Sequence, residues 1–385
     1  MQYRIRGVLL GEQKPSDVVV KDGRVVTIHR AVKAVPDIGS NETIIAPTLF
    51  DTQVNGIKGI DLHSEALKPE DVRTMTDILA RWGVSHWIPT LVTGAMTTLL
   101  HGCRTVAEAW QDKKVARAVP GIHLEGPCIS PVDGPRGAHP KRYVRKPDLA
   151  DFDRLYDAVE GKVVYTTIAP EHKGSVSYIK ALVKRGVIVS LGHHGADAKQ
   201  IRRAVDAGAR YCTHLGNGLA SQIQRHSNPL WPQLADDRLT AGLIPDLEHL
   251  PPDALKVFIR AKGAARVIFT SDCVHVALQK PGRYAFADHA VEVKPSGRVC
   301  LVGTDLLAGS SLMLLQGVVN AARVTDLSLE EAFACAGSRA VRFFGLKRRF
   351  TLPKPGRKAE FVAMDIGKAG KVTVQAVFIN GERRA

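Results

Sequence analysis

A chain of 385 residues with 45% hydrophobic and 24% charged residues has apolar material for a sizeable core, which excludes a disordered, fibrous or small disulfide-stapled protein. The length suits a barrel of about 250 residues with an accessory domain. The formal charge of +15 favours anionic partners, but the Lys and Arg residues are dispersed and no helix-turn-helix, zinc-knuckle or RNP signature accompanies them, so nucleic acid is not read as a partner.

The N-terminus "MQYRIRGVLLGEQKPSD" has no long apolar core and no small-residue cleavage site, so no signal peptide is read. Residues 1–48 read as short strands, with Asp22-Gly23 between two β-branched runs as a hairpin signal. From residue 49 the pattern changes. Apolar runs of strand length recur in "IIAPTLFDTQV", "HWIPTLV", "AVPGIHLEG", "VVYTTIAPE", "VIVSLGHH", "ARYCTHLGN", "LTAGLIPD" and "RVIFTSDC". Segments of helical period lie between them, such as "PEDVRTMTDILARWG" and "DAKQIRRAVDAGA", the latter opened by Asp197 as N-cap and closed before Gly208. Eight near-continuous apolar strands with helical crossovers predict a parallel sheet covered by helices, and eight is the number that closes a (β/α)8 barrel. The tail "EFVAMDIGKAGKVTVQAVFINGE" returns to strands and Asn-Gly turns. The expected organisation is α/β: a (β/α)8 TIM-like barrel over 49–349, and a small β-sandwich domain built from both termini, 1–48 and 350–385. No apolar run reaches the roughly 18 residues of a membrane helix. The six cysteines are scattered without a CxxC, which reads as reduced thiols in a cytoplasmic protein.

Chemistry in such barrels sits at the C-terminal ends of the strands. Those ends carry Gln53 and Asn55, Thr90, Glu125, Glu171, His193 with His194, His214, Asp246 with His249 nearby, and Asp272. Glu125 stands out, because the apolar run of "GIHLEGPCISPVDGPRGAHP" delivers one acid and then breaks into turn residues. One carboxylate and two imidazoles, Glu125, His193 and His214, suit a catalytic zinc with water in the fourth position. Asp272 is placed to act as base on that water. Each residue has a structural alternative: Glu125 and Asp272 as loop or helix caps, the histidines as hydrogen-bonded core residues, and His194 as the ligand in place of His193.

"HLEGPCISP…RGAHP", "LGHHGADAKQIRRAVDAGARYCTHLGN", "FTSDC", "APTLFDTQVNGIKGIDL", "TTIAPE", "LLAGSSLML" and "PGRKAEFVAMD" resemble the amidohydrolase superfamily and, within it, the N-acetylglucosamine-6-phosphate deacetylases, in order and over essentially the whole chain. Many amidohydrolases hold a second metal with His-x-His at the end of strand one. Here Gln53-Val54-Asn55 stands in that place, and neutral amides are poor zinc ligands, which argues for one metal per chain. His63 is too far downstream to replace the pair and reads as a loop or surface residue.

The resemblance implies the following roles. Glu125, His193 and His214 match the metal ligands, Asp272 the general acid/base, and His139 a histidine that contacts substrate near the scissile amide. Asn217 and the adjoining Gly218, His249 and Arg225 match the sugar-phosphate side, Arg225 reaching across from the neighbouring subunit of a homodimer. Gln53 and Asn55 join the substrate contacts. The implied reaction is metal-dependent removal of the acetyl group from an N-acetyl amino sugar, phosphorylated at O6, with zinc as the metal and Fe, Mn or Co as alternatives. A deacylase of another N-acyl compound and a non-catalytic anion-binding descendant are the alternatives. The family usually has Phe-Asn-Ala where Gly216-Asn217-Gly218 stand, Thr or Ser at His194 and Ala at Cys273. The stretch "SQIQRHSNPLWPQLADD" is peculiar to this chain.

Overall fold

The computed structural model describes residues 1–286, 289–348 and 350–385. Eight parallel strands follow one another in a single sheet in chain order: Leu49–Val54, Val84–Val92, Ile122–Glu125, Val163–Ile168, Ile188–Leu191, Tyr211–Cys212, Thr240–Leu243 and Val267–Phe269. They are numbered here as barrel strands one to eight, and each coincides with one of the apolar runs. Strands one and two are buried along almost their whole length, as expected of strands covered on both faces.

Strands one and eight close the ring through a Val54–Cys273 bridge and an Asn55 N–H bond of 2.8 Å to the Cys273 carbonyl. The buried carboxylate of Asp51 reinforces the seam. Its Oδ1 accepts from Thr270 Oγ1 and Ser271 N, both at 3.0 Å. Burial nevertheless raises the Asp51 pKa against these bonds.

Beneath the mouth lies a polar layer. His123 stacks on Tyr165 at 3.7 Å and bonds Thr90 and Thr167 through its two ring nitrogens. Thr167 and Ser190 both meet Thr213 at 2.6 Å. Burial drives the His123 pKa down to about 3, so the ring is neutral and its two nitrogens serve as one donor and one acceptor.

The crossover helices carry the expected signals. Pro69–Arg81 turns Val72, Met75 and Leu79 inward at helical spacing. Ala198–Asp206 begins with a capping box in which Asp197 Oδ1 accepts from Gln200 N at 2.8 Å and Gln200 Oε1 accepts from Asp197 N at 2.9 Å.

The ends of the chain form one seven-stranded sheet, ordered Glu382–Arg383, Val372–Ile379, Phe361–Ile366, Ile38–Ala46, Gln2–Leu9, Pro15–Lys21, Arg24–Arg30. Asp22 and Gly23 have φ of 48° and 75°, the left-handed pair that a tight Asp-Gly hairpin requires. The sheet folds over so that Val25 N bonds the Arg357 carbonyl at 2.9 Å, and Ile5, Val18, Phe361 and Phe378 fill the space between its halves.

An element without a counterpart in the sequence reading follows strand eight. Gly282–Phe286, His289–Val293 and Val299–Leu301 form a three-stranded antiparallel sheet with its own apolar contacts among Val274, Val291 and Val299. Among the described residues, no helix is long and apolar enough to cross a membrane. All six cysteines are buried free thiols, and burial pushes Cys103, Cys128 and Cys212 up to about 12.

Candidate functional site

Glu125 is the last residue of strand three; His193, His214 and Asp272 lie just past strands five, six and eight. The last three have φ of 51°, 30° and 51°, a region that non-glycine residues rarely occupy. Each turns the chain sharply where the strand ends, at a cost of about 1–3 kcal/mol that the surrounding barrel must offset. Such strain clusters at functional sites, and here it falls on three strand-end residues of one mouth.

Among the described residues, Glu125, His193 and His214 are the one group of three His, Cys, Asp or Glu whose ligand atoms converge closely enough for a metal ion. His214 Nε2 lies 2.8 Å and His193 Nε2 3.2 Å from Glu125 Oε1, and the two Nε2 atoms are 3.1 Å apart. His193 Nδ1 meets the Pro135 carbonyl at 3.0 Å and must donate there. In the neutral ring this leaves the Nε2 lone pair facing the Glu125 carboxylate and His214. A cation at the centre removes that conflict. Ligand atoms on a tetrahedron with bonds of about 2.0–2.1 Å stand about 3.3 Å apart, close to the separations found here. The three residues therefore fit a divalent ion, and the His193–Pro135 bond is the outer contact that orients such a ligand. Burial pushes the Glu125 carboxyl up, but the two imidazoles that face it, His193 and His214, outweigh burial and hold Glu125 well below the usual carboxylate range. His194, the alternative ligand, is buried outside this group, its Nδ1 accepting from Ala196 N at 3.3 Å.

Asp272 stands beside the cluster. Its Oδ1 accepts from Asn55 Nδ2 at 2.7 Å and Gln53 Nε2 at 2.9 Å, and the same Gln53 nitrogen donates to Glu125 Oε2 at 3.0 Å. Gln53 and Asn55, expected among the substrate contacts, donate here to carboxylates, and Asn55 also lines the cavity described next. Burial and then the Glu125 charge raise the Asp272 pKa to about 7. His139 Nε2 lies 3.2 Å from His193 Nε2, and its buried Nδ1 meets no acceptor among the described residues. Burial, then the neighbouring His193, push its pKa well below the ordinary imidazole value, so His139 is neutral with its proton on Nε2.

The cluster opens into a cavity of about 930 Å³, whose walls include Asn217, Gly218 and His249. Gly218 packs on the cluster of Glu125, His193 and His214: a Cβ there would lie 2.8 Å from His193 Nδ1, and φ is +61°. His249 Nδ1 is held by Asp246 Oδ2 at 2.6 Å. Arg225 is exposed and outside this chain's cavity wall. Its carbonyl accepts from Trp231 Nε1 at 3.0 Å.

Several wall residues were missed in the sequence reading. His63, read as loop or surface, is half-buried in the wall, with Nδ1 3.1 Å from Asp61 Oδ1 and Nε2 accepting from Val92 N at 2.5 Å. Arg298 comes from the antiparallel excursion and pairs with Glu248 at 3.1 Å. The alternation in "RYAFADHAVEVKPSGRVCLVG" was the available signal.

Fold and site together define a barrel hydrolase with its chemistry at the strand ends. The model of the amidohydrolase family matches residues 44–384, and the chain belongs to this family. It is a hydrolase acting on linear amides. It is similar to N-acetylgalactosamine-6-phosphate deacetylase of Escherichia coli O157:H7, 30% identical over 363 residues with 94% of this chain and 93% of the relative covered. Human N-acetylglucosamine-6-phosphate deacetylase is 33% identical over 354 residues, covering 88% of this chain and 83% of the relative. A solved mutant N-acetyl-D-glucosamine-6-phosphate deacetylase from Mycobacterium smegmatis, in complex with N-acetyl-D-glucosamine-6-phosphate, superposes with a TM-score of 0.83 at 26% identity, covering 100% of this chain and 99% of that one.

Proposed function

We propose that this protein hydrolyses the N-acetyl group of an amino sugar 6-phosphate, N-acetylglucosamine 6-phosphate in the first place, to acetate and the amino sugar phosphate. The observation that carries the reading is a buried carboxylate of raised pKa, Asp272, beside the convergent Glu125, His193 and His214. A divalent metal held by those three residues, zinc before Fe, Mn or Co, supplies Lewis acidity toward the amide carbonyl and a water nucleophile at neutral pH. Gln53 and Asn55 both donate to Asp272 Oδ1, which leaves Oδ2 to take the proton of the attacking water. Asp272 then returns that proton to the departing amine nitrogen. His139, neutral with its proton on Nε2, donates to the carbonyl oxygen as charge develops on it.

Asn217 and His249 bind the sugar phosphate in this reading. Arg225 lies outside its own chain's wall, which suits an arginine contributed to the site of a second subunit in a homodimer. The buried free thiols suit a reducing compartment, the cytoplasm. The galacto epimer is the second reading, because the Escherichia coli relative carries that name. Acetate release measured over both N-acetylhexosamines, with and without the 6-phosphate, tests the proposal and ranks the sugars.

A further inference from the structure

The cavity continues beyond what an acetyl group needs. In the ring of eight, strand two stands opposite strand six. Asn217, on the sugar-phosphate side, follows strand six. Across the mouth, Asp61, His63, Val92, Gly94, Ala95 and Thr98 line the same cavity. With the phosphate end on the Asn217 side and the amide carbonyl at Glu125, His193 and His214, the acyl half of the amide points toward that opposite compartment. At about 930 Å³ the cavity lies near the top of the roughly 300–1,000 Å³ range of ligand pockets, ample for one acetylated sugar phosphate.

Two further observations concern the compartment's walls. His63 bonds both Asp61 and the backbone N–H of Val92, so its ring ties the loop after strand one to the end of strand two as a preformed wall. Gly94 is not demanded by its surroundings. Its φ is not in the left-handed region, and a Cβ there would find its nearest neighbours at 3.8 Å and 4.0 Å, ordinary van der Waals contact. By contrast, at Gly137 and Gly218 a Cβ would lie within about 3.0 Å of the His193 ring. Glycine at 94 thus leaves open space where a side chain would fit without strain.

We propose that this compartment receives the acyl half of the substrate and that the enzyme hydrolyses short, uncharged N-acyl groups longer than acetyl. The inference rests on the proposed amide hydrolysis of an amino sugar phosphate. The balance is unchanged: the acyl C–N bond breaks, a C–O bond to water forms, and the products are the longer carboxylic acid and the amine. Val92 and Ala95 suit an aliphatic chain, whereas the carboxylate of Asp61 and that of Glu65 at the rim disfavour an anionic chain end.

The test is a series of N-acetyl, N-propanoyl, N-butanoyl and N-succinyl forms of one amino sugar 6-phosphate. A fitted apolar pocket discriminates one methylene by about 10–200-fold. The open compartment predicts propanoyl and butanoyl kcat/KM within about 10-fold of acetyl, and succinyl well below. Gly94→Leu, checked for retained metal, raises the acetyl-to-butanoyl preference about 10-fold, and so does the milder Ala95→Val in smaller measure. Calorimetric binding of the same series to Asp272→Asn reads the compartment apart from chemistry, and N-butanoyl binds there at least as tightly as N-acetyl. A wild-type enzyme active on acetyl but over 100-fold weaker on propanoyl overturns the inference alone. So does loss of butanoyl turnover with tolerance of an alkyl group on the anomeric oxygen, which assigns the space to the sugar. No turnover of any acyl form overturns the underlying reading, and the inference with it.

Discussion

Asn55 Nδ2 donates to Asp272 Oδ1 across 2.7 Å, joining the end of strand one to the end of strand eight at the point where the barrel closes. Hydrogen bonds to the charged form favour ionisation, so Asn55 works against the burial that raises the Asp272 pKa. In the proposed mechanism Asp272 must be ionised to act, so activity is expected to rise with pH through its pKa. Asn55→Ala removes a bond worth roughly 1.5–3 kcal/mol. The acidic limb of the kcat/KM profile is therefore expected to move to higher pH by about one unit, with metal content unchanged. An unmoved limb would detach Asn55 from the base.

His193→Ala is expected to remove the bound ion and at least three orders of magnitude of turnover, since two remaining ligands do not make a three-ligand catalytic site. Elemental analysis of the wild type should give about one divalent ion per chain. Two tightly held ions, or full occupancy in His193→Ala, would contradict the assignment.

Asp272 also makes the metal-free protein's stability depend on pH. Its folded pKa, about 7, lies above the ordinary value of 3.8, so between those values the folded state binds more protons than the unfolded state. The stability contributed by the protonated carboxyl is present below pH 3.8 and is lost as pH rises toward 7. Thermal melts of chelated protein at pH 5 and pH 8 should show the wild type losing more than Asp272→Asn. The difference is on the order of a few kcal/mol. Parallel losses would place the charge of Asp272 outside this balance.

Four strand ends were legible because their apolar runs lead into a residue whose chemistry is out of place in a core: Glu125, His193, His214, Asp272. Gln53 and Asn55 were visible as the pair standing where ligands are often found, but not their partners, because Asp272 is 217 residues from Asn55 and only barrel closure brings them together. Asp51 carried no signal in the sequence, because its burial and its bonds to Thr270 and Ser271 exist only once the seam closes. His63 and Arg298 were missed for another reason. They lie on excursions from the barrel, a turn after strand one and the antiparallel sheet after strand eight, where neither helical nor strand period points inward.

Arg225→Ala separates the phosphate from the amide. Losing a charge-assisted contact costs about 10–100-fold in kcat/KM for the 6-phosphorylated substrate. The neutral sugar should change little. A phosphate contact remote from the amide, as proposed for Arg225, is expected to show much of its loss in KM. Mixing Arg225→Ala with His193→Ala subunits should restore phosphate-dependent activity if the arginine acts across a dimer. Equal losses on both substrates would remove Arg225 from phosphate binding.

The most direct test of the central claim is acetate release from N-acetylglucosamine 6-phosphate by metal-loaded wild type and by metal-loaded Asp272→Asn. The account predicts acetate and free amine in equal amounts from the wild type. It predicts turnover lower by about 10²–10⁴-fold in Asp272→Asn, which keeps its metal and still binds substrate. Near-normal turnover in Asp272→Asn, or no acetate from any N-acetylhexosamine 6-phosphate with the wild type, would contradict it.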